Sequence, residues 1–141
     1  MSATQLAALA RTSDPGTMLR RFLALDVLVT GANGVAYLAA AGPLGRFLGV
    51  DSALLLGLGA FLLAYAAGVG VLASRERPPV LGVRAVIEAN LVWAVLSCLS
   101  LALWLTPSTT GAVWTVLQAV TVLGFALLQQ IALRARQEIS E

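Results

Sequence analysis

The sequence predicts an all-α, membrane-spanning four-helix bundle with short loops and both termini on the cytoplasmic side. Three observations carry that reading. Charged residues make up 11% of the 141 positions and hydrophobic ones 59%, against roughly 25% charged residues in a soluble domain, so the chain cannot wet its own surface. Apolar runs of at least 20 residues occupy 22–41, 53–73, 82–105 and 112–133, and a hydrocarbon core needs about 20 residues of helix at ~1.5 Å each. The Arg residues, finally, gather on one side of those runs.

Helix is the conformation expected for each run, because an unclosed sheet would leave backbone groups unpaired in lipid. The punctuation supports the division. Gly42-Pro43 is expected to end the first span and Asp51-Ser52 to cap the second. Pro78-Pro79 separates the second from the third, and Thr106-Pro107 ends the third. These spans form one domain, 18–133, flanked by cytoplasmic tails at 1–17 and 134–141. Ser13-Asp14-Pro15-Gly16 reads as a turn within the first tail. No cleavable signal peptide is expected, since the first span follows two Arg residues and is too long for a signal core.

Direction follows from the basic residues, all nine of which are Arg. Arg11, Arg20 and Arg21 precede the first span, Arg75, Arg77 and Arg84 surround the second connection, and Arg134 and Arg136 follow the fourth span. Arg46 alone lies on the other side. By the positive-inside rule both termini are cytoplasmic. The Ala-rich, Arg-only usage points to a bacterial source and hence to the inner (cell) membrane. Nucleic acid is not an expected partner: the formal charge is only +2, and the Arg residues are explained by topology.

Several function classes are excluded by composition. Cys98 is the sole cysteine and there is no His, so neither an intramolecular disulfide nor the usual thiolate or imidazole metal site can form. Cys98 is expected to be inert core. No catalytic residues, metal or cofactor are expected. Gly57-Leu58-Gly59 is no dinucleotide fingerprint, as no strand precedes it and no third Gly follows at the right spacing. The outer connection 42–52 holds Leu44, Phe47 and Leu48, spaced to lay one apolar face on the membrane surface.

Polar residues recur at helical spacing. Asp26, Thr30, Asn33 and Tyr37 line one face of the first span. Asn90, Trp93, Ser97 and Ser100, continued by Trp104, do so on the third, and Thr115, Gln118, Phe125 and Gln129 on the fourth. The second span instead carries Ala60, Ala64 and Gly68, a small-residue seam suited to close helix contact. Counted from the flanking Arg residues, Asp26 and Gln129 sit about 6–8 Å inside the cytoplasmic boundary at ~1.5 Å per residue, with Asn90 slightly deeper. Tyr37 and Gln118 match in depth near the other surface. We therefore expect an inner polar layer of Asp26, Asn90 and Gln129 and an outer pair of Tyr37 with Gln118, with Thr30, Asn33, Trp93 and Ser97 lining any cavity between them.

Carboxylates inside a membrane are functional candidates because a charge there is costly. Glu88 follows Arg84 by four residues and is expected to pair with it toward the interface. Asp26 has no basic residue at that spacing. Two roles are open to it: a bundle-locking hydrogen-bond acceptor, or a proton-coupling residue.

Leu25-Asp26 with the small residues after it, Gly42-Pro43-Leu44, Asn90-Leu91-Val92-Trp93 with Ser97, and Gly111, Gln118-Ala119 and Gln129 together resemble a family of small four-span bacterial membrane proteins. The resemblance covers most of 18–133. It implies a compact four-helix bundle and no assigned activity. Likeness to small multidrug exporters stops at size and a carboxylate in the first span. The two-cysteine motif of thiol-oxidising quinone enzymes is absent, and so is the aromatic Asn-Arg signature of the polyprenyl-sugar flippase-like family.

The expected function is accordingly that of a non-enzymatic interaction or accessory protein, packing against membrane lipids or a larger membrane partner. The alternative is a small homo-oligomeric carrier of a proton-linked or amphipathic solute, with Asp26 as its coupling residue.

Overall fold

A computed structural model describes residues 14–103 and 106–140, all of the regular structure among them helical. Trp104 and the first thirteen residues, Arg11 included, lie outside the described residues. The elements are α1 (Pro15–Ala39), α2 (Ala41–Leu48), α3 (Ser52–Ser74), α4 (Val80–Leu103) and α5 (Thr109–Ser140). Four of them are long and apolar enough to cross a membrane; α2 is the short exception.

The helix ends differ from the expected spans for local reasons. Asp14 accepts a hydrogen bond from the Thr17 backbone N at 3.2 Å and Pro15 opens the first turn, so Ser13-Asp14-Pro15-Gly16 starts α1 instead of forming a turn in a tail. Gly42-Pro43 does not end the first span. The break falls earlier, at Ala40 (φ −130°, ψ 32°), because Pro43 has no N–H for the Ala39 carbonyl and its ring would clash there. Pro43 instead occupies the first turn of α2. Asp51 caps α3 as expected, accepting from Ala53 N at 3.0 Å. At the other end of the chain, α5 runs on to Ser140 and absorbs the expected second tail. Positions 134–139 contain no Gly or Pro, and Arg136 Nη1 donates to the Pro78 carbonyl at 2.7 Å, anchoring that extension to the α3–α4 connection.

The long helices alternate in direction. At the Arg-rich end, Arg20 Nε donates to the Ala73 carbonyl at 3.2 Å, tying the start of α1 to the end of α3 and satisfying a C-terminal carbonyl. Leu19, Leu23, Val69, Val83, Ile87, and Leu133 form the main core at this end. At the opposite end, Ser108 N donates to the Leu48 carbonyl at 3.1 Å and Ser108 Oγ to the Phe47 carbonyl at 2.9 Å, joining the two outer connections. Gly49, with φ 70°, supplies the left-handed turn that aims those carbonyls at Ser108. Leu48 is buried and Leu44 packs beside the second core cluster, while Phe47 points outward. The outer segment is thus clamped onto the bundle through Leu44 and Leu48, and only Phe47 is left for the membrane surface.

Helix packing is uneven. α1 packs most closely on α3, α4 on α5, and α1 on α5, whereas the backbones of α3 and α4 hardly approach one another. The α1–α3 crossing depends on Gly34 and Gly59: a Cβ on Gly59 would lie 2.9 Å from the Gly34 carbonyl oxygen and 3.1 Å from Leu38 N. The expected seam of Ala60, Ala64 and Gly68 is exposed on the other side of α3. Small residues recur on both faces of this helix, and the buried one is the line of Leu55, Gly59, Leu62, Ala66 and Val69.

Candidate functional site

Asp26 is fully buried between α1, α4 and α5. Its Oδ2 accepts from Asn90 Nδ2 at 2.9 Å and from Gln129 Nε2 at 3.0 Å, and its Oδ1 accepts from Thr30 Oγ1 at 2.9 Å. Asn90 Nδ2 also donates to Gln129 Oε1 at 3.2 Å. The structure therefore brings together the three residues of the expected inner layer, one from each striped helix. Three side chains from three helices converge on this carboxyl group, and every one of them is neutral.

The network extends to α3 through a residue that the sequence reading passed over. Tyr65 Oη lies 3.3 Å from both the Val86 carbonyl and Asn90 Oδ1. The small residues of α3 dominate its sequence pattern and hide this one. The available signal was the pair Phe61 and Tyr65, aromatic at a four-residue step.

Above this network the bundle opens. Where α3 and α4 stand apart, a cavity of about 480 Å³ penetrates between the helices. Thr30, Asn33, Tyr65, Asn90, Trp93 and Gln118 supply its polar and amphipathic lining. Phe61, Leu96 and Leu117 line it too and are each about half exposed, so the space is a groove open on the lipid-facing flank. Phe61 of α3 stacks on Trp93 of α4 with ring centroids 5.9 Å apart and planes 2° from parallel, bridging the gap where the backbones do not meet. Asp26 does not line the groove. Thr30 and Asn90 stand between it and the cavity.

A second cavity of about 390 Å³ lies toward the outer connections, lined by Tyr37, Ser97, Trp114 and Thr115 among others, and it shares Trp93 and Gln118 with the first. Here the expected outer pair is replaced. Tyr37 Oη accepts from Trp114 Nε1 at 2.7 Å, while Gln118, half-buried, faces both cavities. Tyr37 and Gln118 line the same cavity, but the hydrogen bond goes to Trp114, one turn from Gln118 on the same side of α5. Ser97 donates to the carbonyl of Trp93 at 2.7 Å, steadying the turn that presents that ring.

No family model, curated protein or solved structure matches this chain.

The remaining sequence candidates fall outside the site. Glu88 and Arg84 are both exposed on α4, on the face turned away from Asn90. Cys98 is exposed rather than core: it follows the buried Ser97 directly, and one step along a helix rotates a side chain by ~100°, carrying it out of the bundle. Neither cavity is lined by a basic or acidic side chain, and their walls are dominated by apolar and aromatic groups.

Proposed function

We propose that this chain is a non-enzymatic, multi-pass membrane interaction protein that holds an amphipathic or lipid-like molecule in the groove between α3 and α4. The observation that carries the reading is the pairing of a half-open cavity of about 480 Å³ with the sparse α3–α4 backbone contact. That volume lies within the range of small-molecule sites, roughly 300–1,000 Å³. A closed bundle would have packed these helices as it packs α1 on α3. The opening faces lipid, so a molecule dissolved in the bilayer enters sideways without crossing water. Both chain ends are assigned to the cytoplasmic face on the distribution of the Arg residues, and the membrane to a bacterial inner membrane on the Ala-rich, Arg-only composition.

Native mass spectrometry of the protein released from lipid nanodiscs tests this. The expected spectrum carries one retained molecule per chain, lost in an Ala89→Phe variant that fills the groove from α4. A spectrum with no retained molecule, or with retention unchanged by Ala89→Phe, overturns the reading.

A second reading, the homo-oligomeric proton-linked carrier, is favoured by one contact. Thr30 lines the groove and also donates to Asp26, which places a hydroxyl relay between the cavity and the carboxylate. Asp26→Asn in proteoliposomes separates the two readings. The carrier reading requires solute movement driven by a proton gradient in the parent and lost in the variant, with the molecule still bound.

A further inference from the structure

We infer that the occupant of the α3–α4 groove is a lipophilic organic monocation. The inference rests on the groove reading above and adds the charge of the ligand, which comes from the direction of the hydrogen bonds.

Every donor around Asp26 points at the carboxylate. Thr30 Oγ1 spends its proton on Oδ1, so what that hydroxyl has left for the groove is lone pairs. A hydroxyl that donates to a carboxylate is also a stronger acceptor than a free one. Tyr65 Oη likewise directs its proton toward Val86 or Asn90 and not into the cavity. The groove thus meets the outward-facing oxygens of a network centred on a carboxyl group one side chain away.

Among the described residues, that carboxyl group has no cationic hydrogen-bond partner. The donors to Asp26 are neutral, and no Arg lines either cavity. In a low-dielectric surrounding a cation and a carboxylate attract over many ångströms. A cation in the groove is attracted without having to displace any of the three donors, and an anion is repelled.

The walls suit the same ligand. Phe61, Tyr65, Trp93 and Trp114 all line the cavity, and aromatic faces attract cations with weakly hydrated, delocalised or alkylated charge. The apolar remainder accepts the ligand's body. A hydrated ammonium or a metal ion would lose too much water there; a cation with its charge spread over organic groups loses little.

Equilibrium dialysis of the full chain in zwitterionic nanodiscs tests the inference, using tetraphenylphosphonium and its near-isostere of opposite charge, tetraphenylborate, with empty discs subtracted. The expected result is saturable binding of the phosphonium with no borate binding above the empty discs. Asp26→Asn should weaken the phosphonium by about tenfold or more, while Glu88→Gln, on the exposed face of α4, leaves it unchanged. Equal binding of the two probes overturns the cation assignment and leaves the groove reading standing. Equal losses in the two variants also overturn it, reducing the effect to surface charge. Absence of phosphonium binding overturns it as well, and the groove reading is then judged by its own retention experiment. Should Asp26→Asn fail to fold, the comparison of the two probes on the parent chain still decides.

Discussion

Gln129 and Asp26 stand 103 positions apart in the chain and meet at 3.0 Å, with Asn90 donating to the same carboxylate oxygen at 2.9 Å. This contact closes α1 against α5 and draws α4 onto both. It sits at the level where the tight core of the Arg-rich end gives way to the open outer half. Below it the helices interlock through Leu19, Leu23 and Leu133; above it α3 and α4 part. A polar layer has a consequence here that an apolar one would lack, since it sets one rotation for each of three helices and cannot be satisfied by sliding along them.

The substitution series at Asp26 should expose this. Asp26→Leu leaves the buried Gln129 Nε2 without its acceptor and Asn90 Nδ2 with only Gln129 Oε1, and should lower unfolding stability in an SDS titration by about 1–3 kcal/mol. Asp26→Asn keeps an acceptor oxygen and should lose less. If Leu were tolerated better than Asn, the layer would not be holding the helices together.

The α1–α3 crossing makes a sharper claim about a single methyl group. Ala at position 59 would press its Cβ onto the Gly34 carbonyl and Leu38 N, both backbone atoms, whereas Ala at position 57 on the same helix meets nothing within 4 Å. Gly59→Ala should therefore cost about 1–3 kcal/mol by overpacking, and Gly57→Ala should be neutral or stabilising by up to about 1 kcal/mol. Equal effects would mean that the helices do not cross there.

How much of this was legible in the sequence varied with the range of the interaction. Span number and polar stripes follow from hydropathy and 3.6-residue periodicity, which are local, and depth counting from Arg21 and Arg134 brought Asp26 to the level of Gln129. What depth cannot supply is rotation. Tyr37 was matched to Gln118, when the partner at that level is Trp114. Ala60, Ala64 and Gly68 have the spacing of a seam, yet Gly59 and Ala66 are the small residues that face inward. Both errors come from choosing one line of a helix when two lines have similar chemistry. The α3–α4 gap had no local signature, because it results from α3 satisfying its packing on α1.

Orientation can be read chemically. In a Cys98→Ser background, a cysteine placed at Glu76, exposed in the α3–α4 connection, should react with an impermeant maleimide only after cells are opened. One placed at Thr110, exposed at the other end, should react in intact cells. Eight of the nine Arg residues lie on the Glu76 side of the spans, so the reverse pattern would mean that the positive-inside rule fails for this chain.

The outer clamp is also testable. A Cβ on Gly111 would fall onto the Leu48 carbonyl oxygen, the same oxygen that accepts from Ser108 N. Gly111→Ala should push α2 off the start of α5 and cost about 1–3 kcal/mol, while Gly124→Ala, in open space on the same helix, should not destabilise. The distinguishing readout is hydrogen exchange. Protection should fall at 44–50 and 108–112 and hold around Asp26, and a uniform loss throughout the bundle would sink the idea of a separate outer clamp.

The Phe61–Trp93 stack is the contact whose loss should change kinetics more than stability. Phe61 is 54% exposed and reaches Trp93 across a gap with little other packing, so it contributes little to the core. An aromatic pair of this kind is worth about 0.5–1.5 kcal/mol. If the stack must part for a molecule to leave the groove sideways, Phe61→Ala should speed release of a bound phosphonium probe by about two- to tenfold, the same energy expressed as a rate. Unfolding in SDS should change little. Stopped-flow release, followed by the fluorescence of Trp93 and Trp114 beside the probe, measures this directly. Release unchanged by Phe61→Ala but accelerated by truncating Leu117, on the α5 wall, would move the exit away from the α3–α4 opening. Faster release with a matching loss of stability would mean that the stack braces the bundle instead of gating the groove.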